Sequence, residues 1–401
     1  MTKMQEITVS RKTAADILYL AACALHETRP DPVRIYEMDF VDLYKKSSFH
    51  SMTAIVCMGL ELRDALTEEY MPGDMVKKWQ EAKHKAIRKN MMLDAERQKL
   101  FQFMEQKEIW YMPLKGSILK ELYPRIGMRQ MADQDILFDP AAQRELKQYM
   151  DGQGYMVKSV GKGNHDVYEK PPIYNFELHT ALFGAMHHPV WKKYYENVKE
   201  WLIKDEGNQF GYHFSDEDFY VYLMLHAFKH FQGSGTGLRS LMDCYVYVWK
   251  KGDTLDWEYI EREEEKLQII DFEKESRILA RKLFSDPEGQ GGQTAQELRL
   301  KEQELLHYIY GSGTYGTVQN RVRKKLQEQQ GDGKPVRRIT VWKYYWKRLF
   351  PDREWFLKFC PFCYRHRWAV PFFCIYRIIR GLTTRRRRLK NEILAVRKTE
   401  R

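Results

Sequence analysis

Between Leu114 and Phe138 the chain reads LKGSILKELYPRIGMRQMADQDILF, a stretch whose residue types and spacing suit phosphoryl chemistry. It opens on Lys115-Gly116-Ser117, and Asp133-Gln134-Asp135 stands near its end. Gly116 lets a ligand approach the backbone closely, while Ser117 offers a hydroxyl and an amide at a helix start, together a site for phosphate oxygens. Asp133 and Asp135, at i and i+2 on a strand, point to one face. Both carboxylates can then hold divalent cations about 4 Å apart, as two-metal phosphoryl chemistry needs. Mg²⁺ suits such a site because it takes hard oxygen ligands completed by substrate phosphates, and two ions are expected.

A third carboxylate is needed if the aspartate pair is to hold both the ion on a triphosphate and the ion that activates an attacking hydroxyl. Glu177 fits. In Tyr174-Asn175-Phe176-Glu177-Leu178-His179, strand alternation puts Asn175, Glu177 and His179 on one polar face while Tyr174, Phe176 and Leu178 pack inward. From there Glu177 would deprotonate an acceptor hydroxyl or orient it through a metal.

Stepping outward, these residues need a sheet beneath them, and the periodicities supply one. Ile109 to Leu114 and Asp135 to Phe138 read as strands, and His165 to Glu169 with Ile173 to His179 as two more joined by a Pro-Pro turn. Helices are expected over Gln98 to Lys107, Ile118 to Leu122 and Ala141 to Gly152. Residues 12 to 95 read as a helical opening layer, with apolar positions every three to four in Ala54 to Leu66. Helical spacing returns over Asp218 to His230, Gly237 to Lys250 and Trp257 to Leu283, and Pro287 to Gln293 and Gln327 to Gly333 read as links. The expected domains are an N-terminal helical region (1–95), an α/β core (96–190), a helical domain (191–330) and a basic aromatic C-terminal segment (331–401).

The order Gly-Ser, about a dozen residues, Asp-x-Asp, then a distant acidic strand residue resembles the polymerase-beta-like nucleotidyltransferase superfamily. Further pieces resemble a bacterial family of uncharacterised nucleotidyltransferases within it. These are Leu114-Lys115-Gly116-Ser117, Tyr123-Pro124, Arg129, Asp133-Gln134-Asp135-Ile136-Leu137, Glu177-Leu178-His179, His226-Ala227-Phe228-Lys229-His230 and Leu238-Arg239-Ser240-Leu241-Met242-Asp243. The resemblance runs over roughly residues 15 to 380. It implies an α+β fold, with a small mixed-sheet nucleotidyltransferase core flanked by N-terminal and C-terminal helical regions. It further implies that Gly116 and Ser117 hold the triphosphate, Asp133 and Asp135 the metals, and that Glu177 completes the triad. Gln134 departs from the pattern, which places an apolar residue there against the packed side of the sheet.

Other polar residues near the motif carry two readings each. Lys115 reaches phosphate or caps the strand, and Arg129 contacts the triphosphate or pins its loop to an acid. His226 and His230 share a helix face at i and i+4, where packing or a substrate contact outweighs a zinc site that lacks further ligands. Arg239 and Asp243, again at i and i+4, are expected to form an ion pair fixing the helical domain ahead of contacting a nucleotide. Cys360 and Cys363 lack the second cysteine pair that a tetrahedral zinc site wants, and the six cysteines are expected to be reduced thiols.

Composition bounds the partners. The 401 residues carry +11 overall, but Lys334 to Arg401 alone holds 20 Lys/Arg against four acids, so the remaining chain is mildly acidic. An acidic body argues against a nucleic-acid track, which would want Lys and Arg lining a cleft. The basic, aromatic tail fits anionic lipid headgroups, nucleic acid, or helices packed on the core with a solvated Arg end. Met1 to Ser10 holds no apolar core like that of a signal peptide, and Ala369 to Tyr376 is far shorter than the roughly 20 residues that span a bilayer. A cytoplasmic location is expected. The expected function is Mg²⁺-dependent transfer of a nucleoside monophosphate from NTP to a hydroxyl or phosphate acceptor of a small molecule, saccharide or peptide, releasing pyrophosphate. The alternative is a non-catalytic nucleotide-binding or scaffold protein of a polysaccharide or peptide-modification assembly.

Overall fold

Alternation of apolar and polar residues builds one mixed sheet from Tyr111–Pro113 (β1), Gln134–Phe138 (β2), Met156–Ser159 (β3), His165–Lys170 (β4) and Tyr174–His179 (β5), in the order β1-β2-β5-β4-β3. β2 and β5 run parallel, and the other neighbours are antiparallel. The molecule is thus α+β, with helices flanking the sheet. The computed structural model describes residues 3–161, 163–185, 187–285, 298–330, 338–351, 360–384 and 386–399, with residues 287, 353, 355 and 356. These residues group into two compact units, Met1–Phe228 with Leu238–Tyr310, and Lys229–Gly237 with Gly311–Arg401.

In the first unit, one face of the sheet is the core. Ile136 and Phe138 of β2, Phe176 and Leu178 of β5 and Tyr168 of β4 pack with Leu100, Phe101 and Met104 and with Leu146 and Met150. The first helical set belongs to Gly73–Gln106, a 34-residue helix uninterrupted by proline, and the second to Gln143–Gly152. The N-terminal layer comprises Lys3–His26, Pro32–Tyr36, Phe40–Phe49 and Thr53–Glu61. Lys3–His26 and Thr53–Glu61 touch at Gly59, where a Cβ would lie 2.3 Å from the Leu20 carbonyl oxygen, so only glycine permits this approach. Asp216–Gly233 and Leu238–Lys251 follow the sheet.

Three local features differ from the periodicity reading. Met156–Ser159 is an edge strand whose Met156 and Val157 are exposed, so it lacks the alternation that marks a half-buried strand. A short hairpin, Ile203–Lys204 with Tyr212–His213, abuts β1, where the Tyr111 amide donates to the Phe210 carbonyl at 3.0 Å. Trp257 to Leu283 is two helices, Trp257–Leu267 and Ile270–Phe284, parted at Gln268, whose φ of 60° is left-handed. The buried positions explain the break. Ile260, Glu264 and Leu267 would lie on the opposite side of a continuous helix from Ser276, Leu279, Ala280 and Leu283.

The second unit has its own small cores. Val322, Leu326, Val341, Tyr344, Ala395 and Val396 form one, and Phe356, Cys363, Ala369 and Cys374 another. Its helices include Val318–Gln330, Arg338–Leu349, Val370–Leu382 and Arg386–Thr399. Of the two expected links, Gln327 to Gln330 ends the helix Val318–Gln330. All of the rest except Pro287 lies outside the described residues. Among the described residues no helix is long and apolar enough to cross a membrane.

Candidate active site

The polar face of the sheet carries the acids. Asp135 of β2 stands opposite Glu177 of β5 in the parallel register, and two positions further along Leu137 stands opposite His179. Antiparallel pairing of β4 and β5 then sets His165 opposite His179. Because side chains alternate, Asp135, Glu177, His179 and His165 all project from the face away from the core. Asp133 immediately precedes β2 and is half-buried.

Lys115 closes on this acid cluster. Its ammonium lies 2.7 Å from Asp135 Oδ1, and His179 Nε2 donates to the same oxygen at 2.9 Å. Burial opposes ionisation of Asp135, but the Lys115 charge and the His179 hydrogen bond outweigh it and hold the carboxyl well below the usual carboxylate range. Asp133 moves the other way: burial and the neighbouring Asp135 charge push its carboxyl up, against the pull of Lys115, Arg239 and Arg129. Burial drives the His179 imidazole down to about 4, so it is neutral near pH 7. Tyr222, fully buried on the helix Asp216–Gly233, feels the charges of Lys115, Asp135 and Glu177, which places that helix beside the site.

The chain turns sharply at Lys115, whose φ of 45° and ψ of −112° fall outside the regions ordinary residues adopt, at a cost of order 1–3 kcal/mol. The ion pair with Asp135 holds it there. Gly116 follows because a Cβ at this position would meet Arg129 Nη1 at 2.5 Å and Met131 Cε at 2.9 Å. Ser117 turns inward: its hydroxyl donates to Gln134 Oε1 at 2.5 Å, and Arg97 Nη1 donates to the same oxygen at 3.1 Å. Gln134, fully buried on the packed side, is therefore the hydrogen-bonding anchor that an apolar residue could not be.

A second set of contacts fixes the approach to Asp133. Arg129 forms a buried fork on Asp243, with Nε to Oδ1 at 2.8 Å and Nη2 to Oδ2 at 2.9 Å, and the Tyr123 hydroxyl donates to Oδ1 at 2.7 Å. Arg129 is thus paired with an acid, and Asp243 pairs with Arg129 where a pair with Arg239 was expected. Arg239 Nη1 instead donates to the Gln130 carbonyl at 2.8 Å, Lys89 to the Ala132 carbonyl at 3.0 Å and Asn90 to the Arg129 carbonyl at 3.2 Å. Both Lys89 and Arg239 lie close enough to Asp133 for their charges to interact with it.

Sequence reasoning passed over His165, Lys89 and Tyr222. His165 was readable in principle: a hairpin turning at Pro171-Pro172 pairs residues whose numbers are symmetric about the turn, as His165 and His179 are. Lys89 and Tyr222 lie in helices with nothing local to mark them.

The donor set suits divalent cations. Asp135 already accommodates a cation, the Lys115 ammonium, and Glu177 stands beside it on the next strand. A sequence profile of the family described as uncharacterised nucleotidyltransferase matches residues 37–285, which hold the whole sheet and both helices beside it. No curated protein and no solved structure gives a significant match. The profile spans more than half of the chain and includes Gly116, both aspartates and Glu177, and the protein belongs to this family of uncharacterised nucleotidyltransferases.

Proposed function

We propose that the protein transfers a nucleoside monophosphate from NTP to a hydroxyl or phosphate acceptor and releases pyrophosphate. The observation that carries this reading is the pairing of Asp135 with Glu177 across β2 and β5, with Asp133 and the bend at Lys115-Gly116 at the same end of β2. Asp133, Asp135 and Glu177 are the residues that would hold Mg²⁺. When bound, the metal would neutralise phosphate charge and lower the pKa of the acceptor hydroxyl. Gly116, at the bend, would let a phosphate approach the backbone closely. Ser117 acts from beneath, locking the bend to Gln134. Lys115 balances Asp135 before substrate arrives and can swing to a phosphate oxygen once a metal takes that carboxylate. Lys89 and Arg239 add positive charge beside Asp133, where a triphosphate would lie. Incubation with α-labelled NTPs and panels of sugar, nucleoside and peptide hydroxyl acceptors tests the reading. Label transfer with pyrophosphate release that Asp133→Asn abolishes supports it, and transfer that persists in Asp133→Asn overturns it.

We propose further that the C-terminal unit rests on an anionic bilayer surface. The helix Val370–Leu382 exposes Phe372, Ile375, Tyr376, Ile379 and Leu382 at helical spacing, and Arg338–Leu349 exposes Ile339, Trp342 and Trp346. Arg377 and Arg380 lie on that first helix, Lys343 and Lys347 on the second, in a segment of strong positive charge. An apolar stripe with basic flanks is the pattern of an interfacial helix. Sedimentation with phosphatidylserine-containing vesicles, absent with phosphatidylcholine alone and lost in Trp342→Ser with Phe372→Ser, is the expected outcome. Equal sedimentation of wild type and variant contradicts it.

A further inference from the structure

The same polar face carries two imidazoles that the aspartate motif does not call for. His165 Nε2 lies 3.7 Å from Glu177 Oε2, and His179 Nε2 lies 3.9 Å from the same oxygen. All three donor atoms fall within 4.8 Å of one another, and the two rings stand 5.0 Å apart. We propose that the cation Glu177 would hold is a borderline one, Mn²⁺, Co²⁺ or Zn²⁺ in preference to Mg²⁺, with His165 and His179 as its other ligands, so that of the three acids Asp133 and Asp135 are the ones left to Mg²⁺.

The argument is one of donors and distances. A metal bonded to nitrogen or oxygen at about 2.1 Å holds neighbouring tetrahedral donors about 3.4 Å apart, so the two separations from Glu177 Oε2, 3.7 and 3.9 Å, close with shifts of a few tenths of an ångström, and the two histidine nitrogens, within 4.8 Å of each other, close with a shift of up to about 1.4 Å. Imidazole nitrogen suits Mn²⁺ through Zn²⁺, while Mg²⁺ keeps to oxygen and water. Three protein ligands on neighbouring strands leave coordination positions open, the arrangement of catalytic rather than structural sites. His179 needs only a change of tautomer: its Nε2 proton, now shared with Asp135, passes to Nδ1, which is buried and has no hydrogen-bond partner. No proton leaves the ring overall. Asp135 Oδ1, which Lys115 still holds, lies 2.9 Å from His179 Nε2 and borders the same space.

The inference rests on the nucleotidyltransferase reading only for its use: an ion here would take a phosphate oxygen or the acceptor hydroxyl at its open position. The site itself is tested without turnover. Full-length protein, freed of metal by chelation, is titrated with Co²⁺ and followed by the visible absorption of a nitrogen-ligated, low-coordinate cobalt ion. One equivalent should bind, Zn²⁺ should displace it, and millimolar Mg²⁺ should not. His165→Ala and His165→Gln should each weaken Co²⁺ by about tenfold or more with an unchanged thermal transition. His213→Ala, on the outer hairpin beside Asp205, should leave the titration as in wild type. Absence of the absorption band, full displacement by Mg²⁺, or wild-type Co²⁺ affinity in both folded His165 variants overturns the proposal. Each of those results can coexist with Mg²⁺-dependent NTP binding. Conversely, cobalt binding that depends on His165 in a protein that binds no NTP would keep the metal site and remove the nucleotidyltransferase use.

Discussion

Asp135 and Glu177 are register partners across the parallel β2–β5 pair, 42 positions apart in sequence and side by side on the sheet's polar face. Lys115 and His179 share Asp135, and His165 and His179 flank Glu177. Beneath them, Ser117 and Arg97 grip Gln134, the residue between the two aspartates.

Breaking the Lys115–Asp135 pair on one side leaves a buried charge. Asp135→Ala should cost about 3–5 kcal/mol in urea unfolding because the Lys115 ammonium loses its partner in a nearly closed environment. Lys115→Met in the same chain should recover most of that loss. A single-variant loss below about 1 kcal/mol would contradict this placement of Lys115.

Arg129 and Asp243 join the loop before β2 to the helix Leu238–Lys251 through a buried two-pronged pair. Asp243→Ala should destabilise by about 3–5 kcal/mol, and Arg129→Lys, which cannot keep both prongs, should lose more than half as much. Urea unfolding of the two variants and their double mutant measures the coupling. Additive losses would mean the pair does not act as a unit.

At Gly116 the obstacle is the locked guanidinium. Arg129 Nη1 lies where an alanine Cβ would come within 2.5 Å, and its pairing with Asp243 prevents it from yielding. Gly116→Ala should therefore cost about 1–3 kcal/mol and weaken NTP binding by about tenfold. Unchanged values for both would show that the bend tolerates a side chain.

Glu264 provides a pH test remote from the site. Both its carboxyl oxygens are buried without a hydrogen-bond partner, and burial, with the nearby Glu273 charge, pushes its pKa from 4.5 up to about 9. Between those values the folded chain holds a proton that the unfolded chain has released. Stability contributed by the neutral acid is therefore lost as pH rises through that window, by up to about 1.4 kcal/mol per pH unit. Glu264→Gln should flatten urea stability between about pH 5 and 8 relative to wild type. A wild-type profile already flat there would refute the buried neutral carboxyl.

How much of this was legible in the sequence depends on range. Asp135 and Glu177 are legible as neighbours because the alternation of β2 and β5 fixes which face they share, while Asp133 falls just before β2, outside that alternation. The helical layers followed from spacing, except where Gln268 breaks a stripe whose buried positions change sides. What stayed hidden are pairings set by tertiary contact. Arg129 meets Asp243 at a separation of 114 residues, and no local pattern prefers it over Arg239, four residues from Asp243. Gln134 departs from the apolar pattern because its partners, Ser117 and Arg97, are brought to it by the fold.

The most direct measurement is calorimetric titration of the full chain with each non-hydrolysable NTP, with and without Mg²⁺, in wild type and in Asp133→Asn with Asp135→Asn. The account predicts Mg²⁺-dependent binding of at least one NTP by wild type and none by the folded double variant. Equal NTP binding by both proteins, or no binding of any NTP by wild type, would contradict it.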